Sequence, residues 1–134
     1  MPKQPTLVAF VCLHGSAKSV LASEYLNRVA GERGLAFRAT ASGREPDPVI
    51  PDNVVQGLLG KGFDVRGRKP AAATARRFED ADLVVSFGCD LDGLVPRART
   101  IELWSACPAV SDDFDAAWRF ITARVDRLLE ADHA

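Results

Sequence analysis

An α/β fold built on a parallel sheet is predicted by three features of this 134-residue chain. The first is a continuous apolar run, Leu7–Val11, too short for a helix and without the alternation of a half-solvated strand, as a strand covered on both faces requires. The second is the change of period at Ser19, after which Val20, Leu21, Tyr25, Leu26 and Val29 form a helical stripe that ends near Gly34. The third is the recurrence of strand and helix along the chain. Phe37–Ala41 reads as a second strand, and Ser42–Pro51, with three prolines and a glycine, as a loop. Val54, Val55, Leu58 and Leu59 give a helix over Asn53–Gly60. A basic turn, Arg66–Pro70, precedes a short helix over Ala72–Glu79. Leu83–Phe87 is the third strand and Thr100–Leu103 the fourth. Ser111 is the expected cap of a last helix whose first turn holds Asp112 and Asp113, with Phe114, Trp118, Ile121, Val125 and Leu129 on one face.

The order β-α-β-α-α-β-β-α implies right-handed crossovers and a four-stranded parallel sheet with helices on both faces, one domain spanning residues 1–134. Apolar residues make up 47% and charged residues 26%, ordinary values for a globular chain. A net charge of −1 favours neither nucleic acid nor an anionic membrane, so neither is expected as a partner. No apolar run approaches the ~20 residues of a membrane helix. The first residues lack the apolar core of a signal peptide, so a cytoplasmic location is expected. Cys12, Cys89 and Cys107 are too few and too widely spaced for a disulfide framework. No spacing suggests a zinc site or a nucleotide fingerprint; neither metal nor cofactor is expected.

Ligands of open α/β sheets sit at the carboxyl ends of the strands. Cys12 follows the first strand directly and Cys89 follows the third almost directly, so both belong at that edge. Residues 12–19 read Cys-Leu-His-Gly-Ser-Ala-Lys-Ser. A loop between a buried strand and a helix N-terminus turns successive N–H groups into one concavity, to which the helix dipole adds positive potential. The N–H groups of Leu13, His14, Gly15, Ser16, Ala17 and Lys18 would form the oxyanion cradle, with Lys18 adding a full charge. Gly15 supplies backbone freedom, and Ser19 is placed to hydrogen-bond the sulfur. Donors that bind an oxyanion also favour a thiolate, which makes Cys12 a candidate nucleophile. The plainer alternative is a small residue ending a strand beside a solvated lysine. His14 is either an exposed loop side chain or a contributor to anion binding, and His133 needs no explanation.

Cys, five residues, a cation and Ser after a first strand resemble the low-molecular-weight protein tyrosine phosphatase superfamily, which includes thiol-linked arsenate reductases. Ser42-Gly43-x-Glu45-Pro46 is similar to that family's Ser-Ala-Gly loop. Ile50-Pro51 through Gly62-Phe63-Asp64-Val65, then Gly67 to Pro70, is similar to its second helix and the following turn. Ala81 to Val85, Gly88-Cys89 and Trp104 look more like the arsenate-reductase branch. The resemblance implies the same four-stranded fold, an oxyanion or phosphorylated substrate, and a thiol reductant if arsenate is reduced. In that branch a cysteine at the place of Cys89 attacks the adduct on the nucleophile and releases reduced arsenic as a disulfide forms. The alternative for Cys89 is a half-buried thiol ending a strand.

Two departures from the family pattern stand out. Lys18 replaces the loop arginine, a point charge in place of a planar fork. Cys107 occupies the position where the family's general acid, an aspartate of an Asp-Pro pair, is expected, and it is either that position or a loop thiol without a role. Asp112 and Asp113 read as helix N-terminal charges. Three functions remain open on sequence: a thiol-linked arsenate reductase, a phosphomonoester hydrolase, and a non-catalytic phosphate- or phosphopeptide-binding protein.

Overall fold

The computed structural model describes residues 4–91, 93–95 and 100–131, so His133 lies outside the described residues. Four strands, β1 (Thr6–Cys12), β2 (Phe37–Gly43), β3 (Leu83–Ser86) and β4 (Thr100–Leu103), form one parallel sheet in the order β2-β1-β3-β4. Helices α1 (Lys18–Arg33), α2 (Asp52–Gly60), α3 (Ala75–Glu79) and α4 (Phe114–Ala131) complete the fold. β1 is central, flanked by β2 on one side and β3 on the other. Chain order therefore reverses at β1, where an open α/β sheet leaves a crevice at its carboxyl edge.

The unbroken apolar run of β1 is explained by two cores, one on each face. Alternate strand residues face opposite ways. Val8, Phe10 and Cys12 belong to the larger core with Leu21 and Leu26 of α1 and Ile121 and Val125 of α4, while Ala9 and Val11 join Phe78, Ala81 and Val84 in the smaller one. Cys12 thus faces the α1 side by the parity of its strand. Phe10 meets Trp104 with ring centroids 5.6 Å apart. Tyr25 on α1 donates to Asp126 on α4 at 2.8 Å, and burial with this carboxylate pushes the phenol up to about 12.

Three expectations change locally. Residues Ala72 and Ala73 are not helical: the Gly43 N–H donates to the Ala71 carbonyl at 2.9 Å, and Gly43 accepts from the Ala73 N–H at 2.8 Å. That pairing prolongs the edge of β2, and α3 begins only after Thr74, whose hydroxyl caps it through the Arg77 N–H. The cap of α4 is Asp113, accepting from the Ala116 N–H at 3.0 Å, rather than Ser111. β2 also runs two residues past its expected end, to Gly43. This extension carries the second loop up against the residues that follow Cys12.

Candidate functional site

Five residues join the end of β1 at Cys12 to the start of α1 at Lys18. The carbonyls of Cys12, Leu13 and His14 accept from the N–H groups of Arg44 (3.2 Å), Glu45 (2.7 Å) and Asp47 (3.0 Å). In a trans peptide the carbonyl and the next N–H point opposite ways. Spending these three carbonyls on the 44–47 segment therefore turns the N–H groups of Leu13, His14 and Gly15 into the loop's own concavity. No protein acceptor among the described residues takes the N–H groups of Leu13 to Ala17. The N-cap of α1 is Ala17, which makes no side-chain cap, so the first-turn donors of the helix are unspent as well. Sequence and geometry together yield a nest of donors at a helix N-terminus, an arrangement that binds anions.

The loop holds its shape through two glycines in backbone contact. Gly15 has φ +64, in the left-handed region, and a Cβ on it would lie 2.5 Å from the Gly43 nitrogen. A Cβ on Gly43 would lie 2.3 Å from the Gly15 nitrogen. Neither position has room for any side chain.

Cys12 is buried, and its Sγ lies 3.1 Å from the Oγ of fully buried Ser19 in the first turn of α1. A cavity of about 580 Å³ opens above it, lined by the loop residues Cys12–His14 and Ser16–Lys18 and by Asp47, Val54, Phe87 and Cys89. Lys18, the first residue of α1, lines this space and makes no ion pair with a carboxylate among the described residues. Cys89 sits on the opposite wall, at the end of a turn through Gly88 (φ +114) held by the Ser86 hydroxyl, which accepts from the Gly88 N–H and donates to the Cys89 carbonyl. Burial pushes the Cys89 thiol up, and the proximity of Cys12 pushes it further.

Cys107 is placed differently. It is buried in the larger core, its thiol turned to the Pro108 carbonyl at 3.5 Å, and it does not line the cavity. Burial pushes its thiol up as well, against the lowering effect of Lys18. The charge of Cys12 raises it further, so the thiol stays within electrostatic reach of the candidate site although it does not line the cavity. Among the described residues no cluster of three or more His, Cys, Asp or Glu could hold a metal ion.

Asp47 was not picked out from the sequence. Its carboxylate lines the cavity, accepts from the Ser16 hydroxyl at 2.7 Å and lies 3.5 Å from Nδ1 of His14, which is also 3.3 Å from the Glu45 carbonyl. Its only sequence signal is the Asp47-Pro48 pair, an Asp-Pro dipeptide in a different loop from the one where such a pair was sought.

Comparison with known proteins agrees with this geometry. A sequence model of the low molecular weight phosphotyrosine protein phosphatases matches residues 7–100. A putative arsenate reductase of Halobacterium salinarum is 26% identical over 102 residues, covering 75% of this chain and 72% of that protein. The crystal structure of a low molecular weight phosphotyrosine phosphatase from Vibrio cholerae superposes with a TM-score of 0.83 at 17% identity, over 96% of this chain and 97% of that one. An arsenate reductase from Archaeoglobus fulgidus superposes with a TM-score of 0.71 at 24% identity, over 92% and 98% of the two chains. The sheet order, the donor nest and the matched span lead to one assignment: this chain belongs to the low molecular weight phosphotyrosine protein phosphatase family.

Proposed function

We propose that this protein is a thiol-linked arsenate reductase in which Cys12 is the nucleophile and Cys89 the resolving thiol. The observation that carries the reading is that Cys12 and Cys89 line one cavity whose floor is a nest of unspent N–H groups. The similarity to the putative arsenate reductase of Halobacterium salinarum supports it. Arsenate seats three oxygens on the N–H groups of residues 13–18 and on Lys18, while Ser19 holds the Cys12 sulfur. Cys12 Sγ attacks arsenic, an As–O bond breaks, and the departing oxygen leaves as water. The Cys89 thiolate then attacks Cys12 Sγ. The S–S bond forms, the S–As bond breaks with its electron pair left on arsenic, and As(V) becomes As(III) as two thiols are oxidised. An external dithiol resets the disulfide by exchange.

Hydrolysis of a phosphomonoester is the second reading, favoured by the apolar wall of Leu13, Val54, Phe87 and Val110 around the cradle. Such a wall accommodates an organic leaving group that arsenate does not have.

Trapping of Cys12 adducts decides between them. The protein is incubated with arsenate plus a thiol system, and separately with an aryl phosphate, and intact mass is followed. Arsenate turnover should be lost in Cys12→Ser, and Cys89→Ser should accumulate an arsenic adduct on Cys12 without releasing arsenite. Turnover of aryl phosphate alone, indifferent to Cys89→Ser, assigns the hydrolase. Anion binding without any adduct assigns a binding protein and overturns both.

A further inference from the structure

We propose that His14 delivers the proton to the oxygen that leaves when Cys12 attacks, with Asp47 as its positioning residue. The inference rests on Cys12 being a nucleophile and holds for either substrate.

The step needs a donor at the cavity, because an oxygen that departs as hydroxide or alkoxide is a poor leaving group and its protonation is worth a factor of about 100 or more. Cys107 does not line the cavity, and its thiol is directed to the Pro108 carbonyl at 3.5 Å. Among the described residues, the titratable or charged side chains lining the cavity are Cys12, His14, Lys18, Asp47 and Cys89. Cys12 is the attacking atom. Cys89 is the resolving thiol of the proposed reduction, reserved for attack on the Cys12 sulfur. Lys18 is the cation for the oxyanion. His14 and Asp47 are left.

Geometry separates their roles. Both oxygens of Asp47 are engaged: Oδ2 accepts from Ser16 at 2.7 Å and Oδ1 faces His14 Nδ1 at 3.5 Å. The Glu45 carbonyl lies 3.3 Å from the same Nδ1. Two acceptors at Nδ1 fix a hydrogen on that nitrogen, so any proton that moves must sit on Nε2. No protein partner of Nε2 is seen among the described residues, and His14, whose side chain is half exposed, is one of the residues lining the cavity. The charged groups around it are Lys18 and Asp47 at the cavity, with Arg44 and Glu45 on the facing segment. Buried Ser16 ties the carboxylate to the loop that carries His14, so donor and positioning group are parts of one unit.

In the step, Cys12 Sγ supplies an electron pair to phosphorus or arsenic, and the bond to the departing oxygen breaks with its pair on oxygen. The Nε2 proton goes to that oxygen, giving an alcohol or water and a neutral imidazole. In phosphoester hydrolysis the water that cleaves the phosphocysteine returns a proton to Nε2. In arsenate reduction the Cys89 thiol proton is released to solvent and the imidazole is reprotonated from it.

The test compares wild type, His14→Gln and Asp47→Asn on phenyl phosphate, dinitrophenyl phosphate and arsenate, from about pH 5 to 9. Dinitrophenolate leaves without help, whereas phenolate and hydroxide need a proton. His14→Gln should lose about 100-fold in kcat/KM on phenyl phosphate or arsenate, less than about threefold on dinitrophenyl phosphate, and the alkaline fall of the wild-type profile. Asp47→Asn should lose about tenfold on the same demanding substrates and keep a shifted alkaline fall. Equal losses on all substrates, no loss, or a leaving-group-dependent loss in Asp47→Asn alone overturns the assignment of His14. Absence of turnover and of any Cys12 adduct in wild type overturns the nucleophile reading and this inference with it.

Discussion

The loop after β1 and the loop after β4 leave the same edge of the sheet, and each carries a cysteine, yet they are built oppositely. In the first, the Cys12, Leu13 and His14 carbonyls are spent on the 44–47 segment, the N–H groups are free, and the cysteine opens on the cavity. In the second, Ala109, Val110 and Ser111 line the wall, while Cys107 turns into the core toward Pro108. The difference teaches that a position in the chain does not make a catalytic group; the direction in which the backbone turns it does. The first loop gathers unspent donors at a helix N-terminus, and residues of the second line the same cavity. The proposed proton donor accordingly belongs to the first loop, at His14.

The largest break in this comparison is a methyl group at Gly43. Its Cβ would lie 2.3 Å from the Gly15 nitrogen and 2.4 Å from the His14 carbonyl carbon, both backbone atoms that cannot step aside alone. Gly43→Ala should cost about 2–3 kcal/mol through overpacking, lowering Tm by roughly 10 °C, and should abolish anion protection of Cys12. An unchanged Tm with intact protection would show that the two loops are not locked together.

Lys18→Arg sharpens the comparison from the receptor side. A guanidinium engages two equatorial oxygens where an ammonium meets their charge without their geometry. The substitution should raise kcat/KM on activated aryl phosphates by about tenfold or more, since one well-placed donor is worth on the order of 100-fold. Slower turnover in Lys18→Arg would mean that this loop is shaped for the lysine.

Thiol labelling reads both loops at once. Burial raises Cys89 and Cys107 above the ordinary thiol range, so at a given pH each holds less thiolate than a free cysteine, and their labelling should grow only as pH rises. Cys12, facing the donor nest, should be alkylated first at about pH 6, and phosphate, sulfate or arsenate should protect it. Equal labelling of all three thiols, unaffected by anions, defeats the nest.

The sheet and the strand–loop–helix unit at Cys12 were legible in the sequence because they are local. Leu7–Val11 announces a doubly covered strand, and Cys12 to Ser19 hold cradle, cation and sulfur partner within eight residues. What escaped depends on contacts across the chain. Asp47 meets Ser16 only because β2 runs on to Gly43 and brings its loop against the first one, a contact between residues 31 positions apart. The start of α3 was misread for the same reason: alanines at 71–73 have helical propensity, but Gly43 claims their backbone as a strand edge. Spacing along the chain also does not say which way a loop residue turns: Cys107 is buried with its thiol at the Pro108 carbonyl, a contact its place in the sequence does not foretell.

The smallest expected effect is also the most direct check on that last point. Cys107 is 6% exposed, packs in the larger core and keeps its thiol against the Pro108 carbonyl. Cys107→Ala removes one sulfur from a filled space, at a cost of about 1 kcal/mol for the cavity and the lost contacts. No group of the proposed chemistry loses a partner, so kcat/KM on arsenate or an aryl phosphate should stay within about twofold of wild type, with Cys12 labelling and its protection by anions unchanged. Thermal unfolding measures the first quantity and steady-state kinetics the second. A loss of tenfold or more with Tm preserved would place the Cys107 thiol in the reaction after all. The wall of the second loop would then have to open during turnover, and the two loops would differ in state rather than in kind.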